Sequence, residues 1–143
     1  MEIEQEKPTT FFRFEDLRIY HKALEYTYSI YAMSRNIKDD PYTRYFFERF
    51  LTSATSIATN IAEGSSRNKS QFVYYLKMAK SSVRECVVLS TLALNQKFIT
   101  AEVFDTSKNQ LMEMTKMIGA LIGSLQRSVR PDEASAEEDD DND

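Results

Sequence analysis

Apolar residues recur along this chain at intervals of three and four, which is the period of an amphipathic helix. The first stripe of this kind consists of Leu17, Tyr20, Leu24, Tyr28 and Tyr31. It predicts a helix over residues 16–35, with Asp16 as its N-cap or first-turn acid because a negative charge is favoured there. Ile30 and Met33 widen the apolar face, so this helix is expected to touch more than one neighbour.

A second helix is expected over residues 41–63, because Asp40-Pro41 places an acid at the cap and proline at the first helical position. Its apolar face comprises Phe46, Phe50, Ser53 or Ala54, Ile57 and Ile61. No charged residue occurs between Leu51 and Ala62, where serine, threonine and alanine let a neighbouring helix come close. Gly64 is expected just after this helix, in the left-handed conformation that ends it.

The third helix is expected over residues 69–96. Its seam, with alternating spacings of four and three, is Phe72, Leu76, Ala79, Val83, Cys86, Ser90 and Ala93. Further apolar residues surround its C-terminal half: Val73, Val87, Leu89, Leu92 and Leu94. Such a helix must be covered on more than one side, which favours an oligomer with much of the contact surface on helices two and three.

The fourth helix is expected over residues 101–128, after a turn at residues 97–100 in which Thr100 is the candidate cap. Gly119 and Gly123 stand four apart in it and predict a close approach of another helix. Three glycines and three prolines in 143 residues leave few turns. The pattern therefore predicts an all-α fold, an antiparallel up-down four-helix bundle over residues 14–129.

The two ends of the chain differ from this bundle in composition. Residues 1–13 are expected to form a flexible N-terminal arm, and residues 130–143 a disordered acidic tail. The tail holds eight acids and no base after Pro131: Asp132, Glu133, Glu137, Glu138, Asp139, Asp140, Asp141 and Asp143. Residues 11–130 hold 17 basic and 11 acidic side chains, so the net charge of −4 hides a bundle of charge +6.

Few residues offer catalytic or metal chemistry. Cys86 lies on the third-helix seam as an inert buried thiol, and His21, the single histidine, is expected on a helix surface without a partner. The pairs needed for a disulfide or a zinc site are absent, as are the common nucleotide-binding and hydrolase motifs. Glu63 is expected to bond within the corner or to pair with Arg67. We predict no enzyme, no cofactor and no metal.

No segment predicts a targeting or membrane role. The first residues lack the basic flank and apolar run of a signal peptide, and no uncharged apolar stretch approaches the roughly 18 residues of a membrane span. A soluble cytoplasmic protein is therefore expected.

A cationic stripe on the third helix is the feature that bears most on function. Lys77, Lys80 and Arg84 are spaced three and four apart, with Arg67 and Lys69 at the head of the helix. Such a stripe either binds RNA or DNA phosphates or is an ordinary solvated face. The acidic tail can occupy this face and weaken such binding.

Four tyrosines stand near bases and allow two interpretations as well: Tyr42, Tyr45, Tyr74 and Tyr75. Their rings either stack on nucleobases or pack at helix edges with their hydroxyls in water. Packing is the favoured interpretation, because tyrosine commonly occupies such boundary positions.

Three blocks, in order, resemble one family: FEDLRIYHKA (14–23), SIATNIAEGSSR (56–67) and the F-x-x-Y-L-x-x-A…S-V-x-E run (72–85). Together they resemble the four-helix-bundle proteins encoded in intervening sequences of bacterial 23S ribosomal RNA genes. The resemblance covers residues 14–128. Its signature residues, which we interpret as structural, are Asp16, Leu17, Asn60, Glu63, Gly64, Arg67 and Glu85.

The resemblance implies a homopentamer and no catalytic residue. Relatives include the accessory variability determinant of diversity-generating retroelements, a basic pentamer that binds reverse transcriptase and nucleic acid. Two function hypotheses follow: an oligomeric interaction protein with RNA or DNA affinity through Arg67, Lys69, Lys77, Lys80 and Arg84, or an accessory partner-protein module without it.

This sequence departs from the family pattern at three places. Members often carry arginines where it has Leu51 and Thr52, and a glycine where it has Ser81 before the matching Ser82. The acidic tail is not part of the family pattern. The missing arginines and the added tail both weaken the case for nucleic-acid binding.

Overall fold

Four helices make up nearly all of the computed structural model, which describes residues 11–128. A short 3-10 helix, Arg13–Asp16, precedes them. The four are α1 (Arg18–Ser34), α2 (Pro41–Ser65), α3 (Lys69–Asn95) and α4 (Ala101–Arg127). No strand occurs among the described residues, and the all-α prediction is confirmed. Residues 1–10 of the predicted flexible arm, and residues 129–143 with the predicted disordered tail, lie outside the described part.

The helices pack as an antiparallel bundle in which α1 and α3 each contact both α2 and α4. Lys22 of α1 pairs with Glu113 of α4, and Tyr26, one turn later in α1, bonds Ser107, an earlier residue of α4. Arg49 and Ser56 of α2 bond Glu85 and Ser82 of α3 in the same crossed order. Short links between successive helices give the up-down connectivity.

The caps of α2, α3 and α4 follow local sequence rules. The Asp40 carboxylate accepts the backbone N–H groups of Tyr42 at 3.0 Å and Thr43 at 3.1 Å. These bonds, first of all the one from Thr43, lower the pKa of Asp40. Asn68 and Thr100 cap α3 and α4 by accepting the N–H groups of Gln71 and Val103. The predicted caps at Asp40 and Thr100 are confirmed.

The start of α1 differs from the prediction. Asp16 ends the 3-10 helix and caps nothing, while Leu17 is the N-cap and makes no side-chain cap bond. Phe14 packs edge-on against Tyr20 with ring centroids 4.9 Å apart. This aromatic contact joins the 3-10 helix to the first turn of α1. The 3-10 helix begins at Arg13, inside the predicted arm.

The buried face of α1 also differs from the predicted stripe. Its core residues are Ile19, Ala23, Tyr26 and Ile30, whereas Tyr28 and Tyr31 are exposed and Leu17, Tyr20 and Leu24 are half-buried. Both faces have helical spacing. Ile19, Ala23 and Ile30 have no polar side-chain group, so their burial leaves no hydrogen bond unmade. Tyr26 is buried with them because its hydroxyl has two hydrogen-bond partners there.

Those partners are Ser90 of α3 and Ser107 of α4. The Tyr26 hydroxyl lies 2.7 Å from Ser107 Oγ and 3.4 Å from Ser90 Oγ, and the two serines are 2.7 Å apart. All three side chains are buried. Burial raises the pKa of Tyr26, so this hydroxyl stays protonated and able to donate. The three hydroxyls thus join α1, α3 and α4 in the core.

The other predicted core faces are largely buried. On α3 the seam from Leu76 to Ala93 is buried, with only Phe72 half-buried, and on α4 the buried residues are Ser107, Leu111, Met114, Ile118 and Ile122. The predicted approach of a helix at Gly119 and Gly123 is wrong within the chain. No atom lies within 4 Å of a Cβ added at Gly119, and the nearest neighbour at Gly123 is the flexible end of Arg127.

The end of α3 shows the one positive φ among the described residues other than glycine, at Lys97, with a value of 64°. Lys97 N–H donates to the Leu94 carbonyl at 2.9 Å, and Phe98 N–H donates to the Ala93 carbonyl at 2.8 Å. This is the Schellman arrangement, in which the left-handed residue is usually glycine. Lysine there carries the strain of a Cβ close to the backbone.

We therefore expect Lys97→Gly to stabilise the fold by about 1 kcal/mol. The measurement is the free energy of unfolding in urea at fixed protein concentration. The control is Lys116→Gly, the same change at an exposed position inside α4, which should lose about 1 kcal/mol. Loss of stability in both variants would contradict this assignment of strain to Lys97.

Candidate functional site

Gly64 lies inside α2 and not beyond its end. It has no positive φ, and the helix continues to Ser65 before the Ser66 cap, so the predicted left-handed turn at this glycine is wrong. A Cβ added at Gly64 would stand 2.6 Å from Tyr75 Cβ and 2.9 Å from a ring carbon of Phe72. Glycine is required here because α3 passes so close, which is a tertiary reason and not a conformational one.

The corner after Gly64 is stabilised by a predicted ion pair. The Arg67 guanidinium donates to the Glu63 carboxylate and lies over the Tyr75 ring, 5.3 Å from its centroid. The expected pairing of these two side chains is confirmed. Asn60 donates to the Ser56 carbonyl one turn earlier in α2, at 2.8 Å. Its amide therefore serves the middle of the helix and not the corner.

The N-terminal segment reaches the same corner. Phe12, Arg13 and Phe14 line a shallow recess together with Thr59, Ala62, Glu63, Ser65 and Ser66 of the α2 end. Tyr75 and Phe72 of α3 close on Gly64 from another side. The three sequence blocks that resemble a family thus meet at one end of the bundle, and their contacts are packing contacts.

The remaining signature residue, Glu85, takes part in a second contact between α2 and α3, further from the corner. Its carboxylate accepts from Arg49 at 3.5 Å, and the Ser56 and Ser82 hydroxyls bond between the same two helices. Both side chains of the ion pair are about half exposed, so the pair orients the helices more than it stabilises them. Glu85 is the only acid of α3, and this contact turns it toward α2.

The structure groups four of the five predicted nucleic-acid-binding residues. At about 100° per residue, Lys69, Lys77, Lys80 and Arg84 fall within about 80° of the circumference of α3. We call these four residues the basic flank. Lys69 and Arg84 are exposed and Lys80 is half-buried, whereas the Nζ atom of Lys77 is buried. Arg67 does not belong to this group, because it turns to Glu63 and Tyr75.

The basic flank lies away from α2. Tyr75 and Ser82, which contact α2, stand on about the opposite side of α3. Since α3 packs between α2 and α4, the flank occupies the α4 side of its solvent-facing surface. Cationic side chains along one helix flank can contact successive phosphates of a nucleic acid.

A second surface of α3 was missed in the sequence. Six exposed residues repeat at spacings of four and three, and we call them the outer seam: Tyr74, Met78, Ser81, Glu85, Val88 and Leu92. Tyr74 and Val88 are each 58% exposed, and Leu92 is 44% exposed. The heptad spacing of these residues is present in the sequence, but the sequence analysis considered only the buried seam of the same helix.

The four tyrosines near bases differ in exposure. Tyr42 and Tyr45 are 87% and 67% exposed. Tyr74 is 58% exposed, and its ring packs edge-on against Tyr75 with centroids 5.4 Å apart, in line with the favoured interpretation of edge packing. Tyr75 does pack, beneath Arg67. The exposed rings offer faces on which bases or apolar groups can stack.

The candidate catalytic groups occupy unreactive settings. Cys86 is fully buried, and its burial raises the pKa of the thiol to about 12. His21 is exposed and donates from Nε2 to the Glu15 carbonyl at 2.6 Å. Within residues 11–128, no three His, Cys, Asp or Glu side chains are grouped to hold a metal ion. None of the helices in that range has the length and hydrophobicity of a membrane span.

A groove of about 920 Å³ opens between the end of α1 and the start of α4. Met33, Phe98 and Val103 supply apolar walls, with Ser107 among the lining residues. Neither His21 nor Glu63 lines it, and neither do the bases of the basic flank. The charged residues that line it are Lys97 and Glu102.

Comparison with known proteins agrees with this geometry. The sequence model of the 23S rRNA-intervening sequence protein family matches residues 15–120. The chain belongs to this family. The matched range covers the three blocks on which the resemblance rested, except for Phe14, so that prediction is confirmed. No curated protein matches the chain.

One solved structure shares the fold. It is a protein of unknown function from the S23 ribosomal protein family of Bacteroides thetaiotaomicron VPI-5482, with 24% sequence identity and a TM-score of 0.65. The alignment covers 73% of this chain and 97% of that one. The similarity extends over nearly the whole of the other protein, which is consistent with a bundle flanked here by additional terminal segments.

Substitution of the two differently placed glycines tests the packing at the corner. We expect Gly64→Ala to cost about 2 kcal/mol of unfolding free energy, because the new Cβ would force α2 and α3 apart. Gly119→Ala should gain about 1 kcal/mol, because it adds helix propensity in open space. Urea unfolding measures both, and the same sign for the two changes would refute this role of Gly64.

Proposed function

We propose that this member of the family is a non-enzymatic, oligomeric interaction protein that binds RNA or DNA through the basic flank, in the cytoplasm. The observation that carries the proposal is the grouping of Lys69, Lys77, Lys80 and Arg84 on one side of α3. The only acid of that helix is turned to α2 by Arg49. The flank therefore presents positive charge without an acid of its own helix beside it.

Binding of this kind is electrostatic and independent of base sequence. Three phosphate contacts, by Lys69, Lys80 and Arg84, release counterions, so log K should fall with log salt at a slope of about 2.7 on duplex and about 2.1 on single strands. A structured RNA hairpin supplies both duplex and single-stranded phosphates for such contacts.

The non-enzymatic part of the proposal has separate support. The thiol of Cys86 is buried with a raised pKa, and the ring of His21 is held by a backbone carbonyl on an exposed helix face. A nucleophile needs an accessible, activated group with a base in reach. Neither side chain meets that requirement.

The nucleic-acid proposal predicts a change in salt slope. In Lys69→Gln/Arg84→Gln, two exposed bases of the flank lose their charge, so the slope for a structured RNA hairpin should fall by about 2. Fluorescence anisotropy at several salt concentrations measures it. Arg35→Gln/Lys38→Gln, two exposed bases at the opposite end of the bundle, is the matched control. Absence of binding by the native chain at low salt, or an equal loss in the control, would overturn the proposal.

The oligomer is proposed from the outer seam, with a second copy of the chain as its occupant. An exposed row of Tyr74, Met78, Val88 and Leu92 at heptad spacing suits a helix–helix contact. A homopentamer remains the assembly that we propose. Its contact surface would be centred on α3, with the neighbouring outer face of α2.

Charges placed on the outer seam should reduce the assembly. We expect Val88→Glu/Leu92→Glu to lower the mass measured by light scattering while the helical circular dichroism is retained, because each subunit contact would bury unpaired carboxylates. Val103→Glu/Met112→Glu, which changes exposed apolar residues of α4, should leave the mass unchanged. A native chain that is monomeric across micromolar concentrations would contradict this proposal.

The outer seam also supports a second candidate function, an accessory module for a partner protein without direct nucleic-acid binding. An amphipathic helix of another protein can occupy an apolar row of this kind. The accessory role predicts that Val88→Glu/Leu92→Glu removes binding of the partner protein. That loss, together with no RNA binding by the native chain in the anisotropy experiment, would favour the accessory role.

A further inference from the structure

The acidic segment 131–143 follows closely on the end of α4. It carries eight acids and no base, and Arg127 is the last residue of α4. The described chain ends at Ser128, only a few residues before this negative charge in the sequence. The surface next to Ser128 is therefore the first one that the segment can contact.

The end of α4 lies beside the start of α3. Ser90 of α3 and Ser107 of α4 are hydrogen-bonded at 2.7 Å. From this pair, α3 runs back to Lys69 and α4 runs forward to Arg127, each over about 30 Å at 1.5 Å per residue. Because the two helices are antiparallel neighbours, Lys69 and Arg127 lie at the same end of the bundle.

That end of the α3–α4 pair carries only positive charge. No acid occurs in α4 after Glu113, and Lys116 and Arg127 stand in that half. No acid occurs in α3 before Glu85, and the basic flank occupies that stretch on the α4 side of the helix. The segment therefore emerges next to bases with no carboxylate of either helix half to repel it.

The reach of the segment fits the flank. Lys69 and Arg84 are separated by about 22 Å along α3. Thirteen extended residues, 131–143, span up to about 45 Å, enough to reach the far end of the flank. The segment has eight carboxylates, and the flank has four bases. A segment that extends along the whole flank therefore places a carboxylate within reach of every base.

We propose that the acidic segment 131–143 docks on the basic flank of its own chain and competes there with nucleic acid. The docking stands on charge and geometry alone, whereas the competition rests on the proposed function. A short tether gives an effective concentration of about 1 mM, so even a contact with a dissociation constant of about 0.1 mM weakens nucleic-acid binding about tenfold.

Docking can be measured without nucleic acid, by carbodiimide cross-linking of the full-length protein followed by mass spectrometry. This reagent joins carboxylates to lysine amines that are in contact. We expect cross-links from residues 132–143 to Lys69 or Lys80, and their loss in 1 M salt. Lys38 and Lys97, at the opposite end of the bundle, are the internal controls. Equal labelling of the control lysines, or no cross-links to the flank, would overturn the docking.

Competition is tested with a full-length variant in which the tail keeps its length and loses its charge: Asp132→Asn, Glu133→Gln, Glu137→Gln, Glu138→Gln, Asp139→Asn, Asp140→Asn, Asp141→Asn and Asp143→Asn. Its affinity for the RNA hairpin should rise about tenfold at low salt and approach the native value at high salt. The control variant is Glu2→Gln/Glu4→Gln/Glu6→Gln, which removes acids from the other end of the chain. An equal rise in this control would refute specific competition.

The two measurements fail separately. Cross-links to the flank without RNA binding by either tail form would sink the proposed function and leave the docking intact. RNA binding by the native chain without those cross-links, and with no gain on neutralising the tail, would sink the docking and leave the proposed function intact.

Discussion

The absence of a side chain at Gly64 sets the distance between α2 and α3. Tyr75 and Phe72 occupy the space that a Cβ would need, and no rotamer change can move the Cβ of Tyr75 away. The same approach brings Ser56 to Ser82 and Arg49 to Glu85 further along the two helices. The rotation of α3 about its own axis is thereby fixed, and with it the direction in which each of its other faces points.

That rotation gives α3 three separate roles. Its buried seam from Leu76 to Ala93 completes the core, its basic flank lies on the α4 side, and its outer seam faces solvent between the flank and α2. A functional account of this protein is therefore largely an account of one helix. The other three hold it in place, and one of them, α2, neutralises its single acid through Arg49.

Features with local causes were predictable from the sequence. Asp40-Pro41 and Thr100 cap their helices because a short side chain meets backbone groups two or three residues away, whatever the rest of the chain does. The α3 seam was predictable because its spacing is unambiguous. The α1 face was not, since two apolar stripes compete and the outcome depends on Ser90 and Ser107 from distant helices. Gly64 was misjudged because its role depends on contacts with Phe72 and Tyr75 of the next helix and not on its own helix end.

The hydroxyls of Tyr26, Ser90 and Ser107 have a consequence for which packings this sequence can adopt. A slip of α4 by one turn, about 5.4 Å, would bring Val103 or Leu111 to the place of Ser107. Both remaining hydroxyls would then be buried with fewer partners, at a cost of about 1–3 kcal/mol for each one left unsatisfied. Apolar side chains along the same helices would tolerate the slip far better. The polar trio therefore acts as a register pin, which selects one alignment of the helices from several that a purely apolar core would accept.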